Sequence, residues 1–362
     1  MQIIDDRRAL HRIPELQLNL PKTMAYLRTA LEGLGCKVFS PAESSLCAYF
    51  DFGQENAIAF RADCDGLPVA EKNDVPYAST HEGQMHACGH DGHMAVLLEL
   101  ARRLSKKTNL RHNVLLVFQP GEESPGGAKI ICDSGVFEQY NVRAIFGLHL
   151  WPGVTPGAVL CRKNEFMSRS SEINVDIIGR SAHICKAAEG LDSLAAGTEF
   201  YRRAVAMEQA LPSHIYRLLK FGKMESGTVR NALAAHTRLE GSLRAFQDEI
   251  FDSLLQGLHD IAAAVSAETG CTVTVESADG YPAVCNPEDL YNRVNAVYPL
   301  TPLEVPNMGS EDFAFYQKRI PGIFFFLGIG DTPALHADCF DFDEQTLLKG
   351  ADFFEKLADE FQ

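Results

Sequence analysis

Residues 94–120, MAVLLELARRLSKKTNLRHNVLLVFQP, decide the fold class. Up to residue 107 the apolar residues recur at helical spacing, and residues 113–120 form a short apolar run that ends in Gln-Pro. Similar runs occur at NAIAFRAD (56–63) and RAIFGLHL (143–150). Short apolar strands separated by amphipathic helices are typical of an α/β domain with a largely parallel sheet. We therefore predict one α/β domain that contains this stretch and the apolar runs before and after it.

Between residues 168 and 279 the pattern changes. SSEINVDIIGRSAH (170–183) alternates like a half-exposed strand and precedes a helical segment at 192–211. Two strand-like segments (214–224 and 235–246), a helix (248–270) and a strand (271–277) follow. This β-α-β-β-α-β order is that of the ferredoxin-like fold. We predict a catalytic α/β domain in two parts, 1–167 and 280–362, interrupted by a ferredoxin-like α+β domain at 168–279.

Composition excludes several classes of protein. The chain has 362 residues, and its net charge of −15 argues against nucleic acid and anionic membranes as partners. No window approaches the roughly 20 apolar residues of a membrane span, and the charged start, MQIIDDRRAL, does not resemble a signal peptide. Ten cysteines are scattered without a disulfide framework. We therefore expect a cytoplasmic location with free thiols.

Residues that can bind metals follow the predicted strands. Each has an ordinary explanation by itself: a turn, a helix cap, a core histidine or a solvated loop. Cys88 and His90 are too close together for a structural zinc knuckle. We expect Glu122 and Glu123 to point in opposite directions if their segment is extended. As a set, residues that follow strand ends indicate a metal site with a nearby carboxylate as general base; the set is Asp63, Asp65, Cys88, His90, Glu122, Glu123, His149 and His336.

Several motifs recur in order along nearly the whole chain. They are RRALHRIPEL (7–16), RADCDGLP (61–68), MHACGHDGHM (85–94), FQPGEES (118–124), FGLHLWPG (146–153), NMGSEDFAFY (307–316) and LHADCFDF (335–342). With them the chain resembles the aminoacylase/glutamate-carboxypeptidase metallopeptidase family. The similarity is to its amidohydrolase branch, which includes hippurate hydrolases, indole-acetyl-amino-acid hydrolases and N-acetyl-diaminopimelate deacetylases. The resemblance implies a zinc-peptidase-like catalytic domain and a smaller lid domain, which usually dimerises.

The resemblance also implies a site that holds two divalent metal ions, zinc or manganese, with cobalt or nickel as alternatives. Cys88 would bridge the ions, and the other ligands would be His90, Glu123, His149 and His336. Glu122 would be the general base. Asp65 would orient a ligand histidine. Asp63 stands where other branches carry a histidine ligand, and we leave it out of the ligand set.

The lid domain would complete the site. By the same resemblance, His183 in GRSAH would stabilise the oxyanion, either in its own subunit or in a partner. Asn231 and Arg244 would bind the carboxylate of the substrate, a task that suits the two-pronged guanidinium group. The chain departs from the family pattern at Ala187 and Ala188, where Pro-His is usual. This departure leaves the acyl group and the amino acid open.

We therefore predict a cytoplasmic, metal-dependent amidohydrolase that cleaves an N-acyl amino acid into a carboxylic acid and a free amino acid. We expect a homodimer, or a larger homo-oligomer, that assembles through the lid domain. The nearest alternative is a dipeptidase or carboxypeptidase with the same two-metal machinery. A metal-binding regulator and a cysteine hydrolase built on Cys88 and His90 are alternatives of other classes.

Overall fold

The structure, a computed structural model, describes residues 1–278 and 280–362. It separates into two compact units. Unit 1 comprises Met1–Phe166, Cys285–Val305 and Asp312–Gln362, and unit 2 comprises Met167–Val284 and Pro306–Glu311. Residue 279, the predicted end of the lid domain, lies outside the described residues. The boundaries drawn from the sequence therefore stay a prediction.

The elements are numbered in chain order. The helices are α1 (Gln2–His11), α2 (Pro21–Leu31), α3 (His90–Leu104), α4 (Gly127–Asp133), α5 (Val136–Gln139), α6 (Ser193–Ala210), α7 (Asp248–Thr269), α8 (Glu288–Val297), α9 (Ala314–Gln317) and α10 (Leu347–Glu360). The strands are β1 (Lys37–Phe39), β2 (Leu46–Phe50), β3 (Ala57–Asp63), β4 (Asn113–Gln119), β5 (Val142–Trp151), β6 (Val159–Cys161), β7 (Asn164–Met167), β8 (Arg169–Ile178), β9 (Arg217–Ser226), β10 (His236–Ala245), β11 (Thr272–Ser277), β12 (Val284–Asn286), β13 (Thr301–Pro302) and β14 (Gly322–Gly328). Short 3₁₀ helices cover Ile184–Glu189 and Glu344–Thr346. Among the described residues, no helix has the length and apolar character needed to cross a membrane.

Unit 1 contains an eight-stranded sheet with the order β1-β2-β4-β3-β5-β14-β6-β13. The central strands β4, β3, β5 and β14 run parallel to one another. Every residue of β3, β4 and β14 is buried, which explains their continuous apolar runs. β1 pairs antiparallel with β2, β2 with β4, and β6 with β14, whereas the short edge strand β13 runs parallel to β6. The α/β class is thus confirmed, and the sheet is mixed: the central strands and the β6–β13 edge pair are parallel, and the other pairs are antiparallel.

Helix α3 is the longest helix of unit 1. The apolar pattern of the sequence predicts that this helix begins at Met94, but in the structure it begins four residues earlier, at His90. Gly89, just before the helix, has φ = 84°, a backbone conformation that residues with a side chain rarely adopt. A Cβ added at this position would also lie 3.1 Å from the Leu150 side chain. The helix packs against α1, α10 and β3, so all of its residues except Glu99 and Arg103 are buried. The early start brings His90 and His93 into the first turn.

Unit 2 confirms the predicted β-α-β-β-α-β order, as β8-α6-β9-β10-α7-β11. Its antiparallel sheet has the order β11-β8-β10-β9. Ile173, Val175 and Ile177 alternate along β8 and are buried in a core shared with α6 and α7. The residues between them lie on the opposite, more polar face. The alternation read from the sequence therefore identifies which face of β8 is buried.

A buried ion-pair cluster ties the N-terminal helix to α3. The two ring nitrogens of His11 lie 2.7 Å from an Asp91 oxygen and 3.1 Å from a Glu71 oxygen. Arg7, fully buried, lies 2.9 Å from the same Asp91 oxygen. Burial alone would lower the pKa of His11, but Asp91 and Glu71 raise it to about 9. The folded state therefore holds His11 as a cation between two carboxylates.

Replacing His11 with Gln tests this arrangement. Because the folded pKa lies above the usual 6.5, the stabilisation from His11 is complete below pH 6.5 and is lost as the pH rises through about 9. The difference in unfolding free energy between the wild type and H11Q should shrink by roughly 3 kcal/mol over this window. Urea unfolding at pH 6 and at pH 9.5 measures it. An equal difference at both pH values would contradict the charged state.

Candidate metal centre

The site lies where parallel strands of unit 1 end. β3 ends at Asp63, β4 ends at Gln119, and His149 is close to the end of β5. The carboxyl ends of parallel strands share one edge of the sheet, the edge at which ligands bind in α/β proteins. The first turn of α3 supplies His90 to this edge. The parallel pairing of these strands therefore brings side chains that are far apart in the sequence close together at this edge.

All five predicted ligands come together in two groups that share one cysteine. Cys88, His90 and His149 form one group, and Cys88, Glu123 and His336 form the other; within each group the potential ligand atoms lie within 4.8 Å of one another. The Sγ of Cys88 is 3.3 Å from Nε2 of His149 and 3.3 Å from Nε2 of His336. This is the arrangement expected if the cysteine bridges two ions.

The imidazole rings are oriented by backbone carbonyls. Nδ1 of His90 is 2.8 Å from the carbonyl oxygen of Asp65, and Nδ1 of His149 is 2.7 Å from that of Leu150. A carbonyl only accepts, so both Nδ1 atoms carry a proton and donate it. Nε2 of His90 is buried without a hydrogen-bond partner. Such fixed tautomers, with Nε2 left for coordination, are typical of metal-binding histidines.

Asp65 holds the turn that carries the two glutamates. Its Oδ1 accepts from the backbone N–H of Glu122 at 2.9 Å, and its Oδ2 accepts from that of Glu123 at 3.2 Å. The contact of Asp65 with His90 at hydrogen-bond distance is made by its backbone carbonyl. The expected role of its carboxylate in orienting a histidine stays a prediction. The geometry shows instead a role in shaping the loop.

The two glutamates approach the same region. Residues 122–125 form a turn, and one ligand atom each from His90, Glu122 and Glu123 lie within 4.8 Å of one another. The glutamates were expected to point in opposite directions on an extended backbone, but the segment is a turn, so that condition is not met. Glu122 is 7% exposed, so its carboxylate belongs to the buried part of the site.

The charges of the site fit a cation. Burial raises the pKa of the Cys88 thiol well above its usual value, and the charges of Glu123 and Glu122 raise it further. Burial alone would lower the pKa of His90, but Asp63 and Asp65 raise it to about 10. Oε1 of Glu123 is buried without a hydrogen bond, although it lies 3.2 Å from a His336 nitrogen. The carboxylates thus favour positive charge at His90, whereas burial lowers the pKa of His149 well below its usual value. The sulfur, imidazole and carboxylate donors suit divalent transition metals.

These pKa shifts also argue against the cysteine hydrolase. A nucleophilic cysteine needs a lowered pKa and a histidine that accepts its proton. The pKa of Cys88 is raised, and the histidines in contact with its sulfur are His149 and His336 rather than His90. The surroundings of Cys88 therefore favour a metal site over a nucleophilic cysteine.

Within unit 2, His183 lies next to the segment that carries Asn231. A backbone bridge pairs His183 with Ala232, and the N–H of Ile184 donates to the carbonyl of Asn231 at 3.0 Å. Nδ1 of the exposed His183 accepts from the backbone N–H of Cys185 at 3.3 Å. A neutral His183 ring therefore carries its proton on Nε2. This tautomer leaves an N–H available as a donor.

Arg244 on β10 is held by neutral groups. Its guanidinium donates to the carbonyl of Met308 at 2.7 Å and to the hydroxyl of Ser242 at 3.3 Å. Within residues 1–278 and 280–362 it forms no ion pair, and burial lowers its pKa. Arg238, six residues earlier on the same strand, is paired with Asp176 and Glu240. Arg244 thus keeps a charge to which a carboxylate ligand can bind.

The α/β sheet, the two linked ligand groups and the neighbouring glutamate define a metal-dependent hydrolase. Residues 59–360 match the sequence pattern of Peptidase family M20/M25/M40. The chain belongs to this family.

Relatives support the same class. An uncharacterized hydrolase of Staphylococcus haemolyticus is 34% identical over 97% of this chain and 96% of its own length. Bacillus subtilis YXEP, described as a dinuclear metal binding peptidase of the M20 family, superposes with a TM-score of 0.85 at 27% identity, covering 98% of this chain and 96% of its own. A protein from methicillin resistant Staphylococcus aureus reaches a TM-score of 0.93 at 27% identity, with coverage of 98% and 96%. The chain is therefore a hydrolase that acts on amide bonds and uses divalent metal ions.

The backbone of His336 allows a test of strain at the site. His336 has φ = 67°, in the left-handed region, where a Cβ costs roughly 1–2 kcal/mol. We expect H336G to be more stable than H336A by about 1 kcal/mol, the reverse of the usual order of these residues. Urea unfolding of both variants after chelator treatment measures this difference. A more stable H336A would show that the backbone is relaxed there.

Proposed function

We propose that this enzyme hydrolyses N-acyl amino acids to a carboxylic acid and a free amino acid. The observation that carries the proposal is the pair of ligand groups joined at Cys88, with Glu122 beside them. Arg244, a cation without a carboxylate partner among the described residues, supports a substrate that carries a free carboxylate. The N-acyl amino acids combine that carboxylate with the amide bond to be cleaved.

Two zinc or manganese ions are the cofactors we propose, with cobalt or nickel as alternatives. His90 and His149 would hold one ion, Glu123 and His336 the other, and Cys88 both. When bound, the ions supply an acidic water molecule and polarise the carbonyl group to be attacked. Their charge would also keep the Cys88 sulfur as a thiolate, which burial otherwise opposes.

Glu122 acts as the proton carrier in this proposal. Its position beside His90 and Glu123 places a carboxylate at the edge of the ligand set. It accepts a proton from the attacking water and delivers it to the amine that leaves. Asp65 keeps the Glu122 backbone in place through the N–H of that residue. The Nε2–H of His183 would donate to the oxyanion, and Asn231 and Arg244 would bind the carboxylate.

A dipeptidase or carboxypeptidase is the second candidate. The description of the Bacillus subtilis relative as a peptidase favours it. Dipeptides differ from N-acyl amino acids chiefly by a free α-amino group. A panel of N-acetyl, N-benzoyl and longer N-acyl amino acids, assayed beside dipeptides with added Zn²⁺ or Mn²⁺, distinguishes the two. Faster hydrolysis of the dipeptides would favour the second candidate.

We propose a homodimer, or a larger homo-oligomer, formed through unit 2, and a cytoplasmic location. Large apolar side chains are exposed on unit 2, which supports an interface there; they include Ile178, Ile184, Leu194, Tyr201, Met224 and Val229. Leu194 and Tyr201 lie seven residues apart on α6 and so share one face. All ten cysteines are free thiols, which supports a reducing compartment.

Replacing Glu122 with Gln tests the proton carrier. The amide keeps the shape of the side chain but cannot accept the proton, so kcat should fall by about 10²–10⁴-fold. The metal content, measured by elemental analysis, should stay at the wild-type value. E82Q, the same change at an exposed position, is the control and should leave kcat unchanged. Near-normal turnover by E122Q would exclude Glu122 as the base.

Replacing Arg244 with Ala tests the carboxylate-binding role. For an N-acyl amino acid, kcat/KM should fall roughly 10- to 100-fold, the range of a hydrogen bond to a charged group. For the corresponding N-acyl amino acid amide, which lacks the carboxylate, it should change little. R238A is the matched control, because Arg238 lies on the same strand and is already paired. Equal losses on both substrates would show that Arg244 does not bind the carboxylate.

A further inference from the structure

Both ring nitrogens of His93 are engaged within unit 1. This side chain, in the first turn of α3, is fully buried. Its Nδ1 lies 2.5 Å from Oδ1 of Asp63, and its Nε2 lies 2.9 Å from the backbone nitrogen of Leu150. The backbone N–H can only donate, so Nε2 is the acceptor and Nδ1 carries the proton. His93 therefore has no nitrogen left for a metal ion, although it stands three residues from the ligand His90.

Asp63 is itself held in place by Arg61. The guanidinium donates to Oδ2 of Asp63 at 2.8 Å, while Oδ1 accepts from His93. Arg61 also donates to Gln119 at 2.8 Å and to Asp312 at 3.0 Å, and all of these groups are buried. Each hydrogen bond of this chain has one possible direction. The chain thus sets the position and the tautomer of His93.

The chain ends on the peptide group that orients His149. The N–H of Leu150 donates to His93, and the carbonyl of Leu150 accepts from Nδ1 of His149. The rings of His93 and His149 are also in edge contact, with centroids 4.6 Å apart. His93 therefore fixes the residue whose carbonyl sets the direction of Nε2 of His149, the nitrogen that faces Cys88 at 3.3 Å.

We propose that His93 is a positioning residue that, with Asp63 and Arg61, fixes His149 for one of the two metal ions. The inference rests on the proposed two-metal site. His149 shares its ligand group with His90 and Cys88, whereas Glu123 and His336 belong to the other group. Loss of His93 should therefore weaken one ion selectively. A purely structural role would instead lower the stability of the domain and affect both ions together.

Two variants separate the two contacts of His93. In H93N the side-chain N–H can still donate to Asp63, but nothing reaches the N–H of Leu150. In H93Q the side-chain oxygen reaches further and can accept from that N–H. H112N is the matched control, because His112 is a half-buried histidine just before β4, at the end of that strand away from the site.

The readout is the release of zinc from the loaded full-length enzyme to a competing chelator. For H93N we expect one ion to be bound about 10- to 100-fold more weakly, the usual effect of removing the partner of a metal-binding histidine. The other ion should stay within about threefold of the wild type. H336A removes a proposed ligand of the second group. The release step that changes in H336A is therefore that of the second ion, and the other step is that of the ion held by His149. H93Q should retain most of the affinity, and H112N should match the wild type.

Three outcomes would overturn the inference. They are unchanged release of both ions from H93N, equal weakening of both ions, and a loss in H93Q as large as that in H93N. Thermal unfolding of the chelator-treated variants shows whether the domain itself is weakened. If the wild-type enzyme does not bind two ions, the proposed function itself fails. If the wild type binds two ions and H93N binds both equally well, only the inference about His93 fails.

Discussion

Asp65 is the residue on which the geometry of the centre depends. Its carboxylate accepts the backbone N–H groups of Glu122 and Glu123, and its carbonyl accepts the proton of His90. One side chain and one peptide group thus connect the end of β3, the turn after β4 and the start of α3. Hydrogen bonds to an ionised carboxylate are stronger than those between neutral groups. This explains how a turn with two adjacent acidic residues stays ordered inside the domain.

The buried acidic residues of unit 1 differ in how their charge is compensated. Two of these carboxylates are paired with cationic side chains: Asp63 with Arg61, and Asp91 with Arg7 and His11. Glu123, by contrast, lies close to the Cys88 thiol and to the imidazoles of His90 and His336. A charge buried without a partner is costly. The difference between these two surroundings supports the proposal that divalent ions are bound at Cys88.

Unit 2 shows the opposite arrangement of charge. Arg238 is neutralised by Asp176 and Glu240, whereas Arg244 on the same strand is held by a carbonyl and a hydroxyl. Neutral acceptors orient a guanidinium without cancelling its charge, so the group remains able to bind an anion. The hydrogen bond from Cys185 to Nδ1 of His183 likewise leaves the other nitrogen of that ring as a donor. Both side chains thus keep an N–H group able to donate to an anion, which supports the roles proposed for them.

By itself the sequence determined the α/β class, the ferredoxin-like order of unit 2 and the set of candidate ligands. These follow from the periodicity of apolar residues and from short motifs, which depend on local backbone geometry. Only the tertiary structure decided that Glu122 and Glu123 approach the same region, that α3 begins at His90, and that Arg61, Asp63 and His93 form a chain to Leu150. The spacings of Arg61 with Asp63 and of His90 with His93 each indicate a shared face. They do not specify the partner across the sheet, because the packing of distant segments decides which buried polar groups meet.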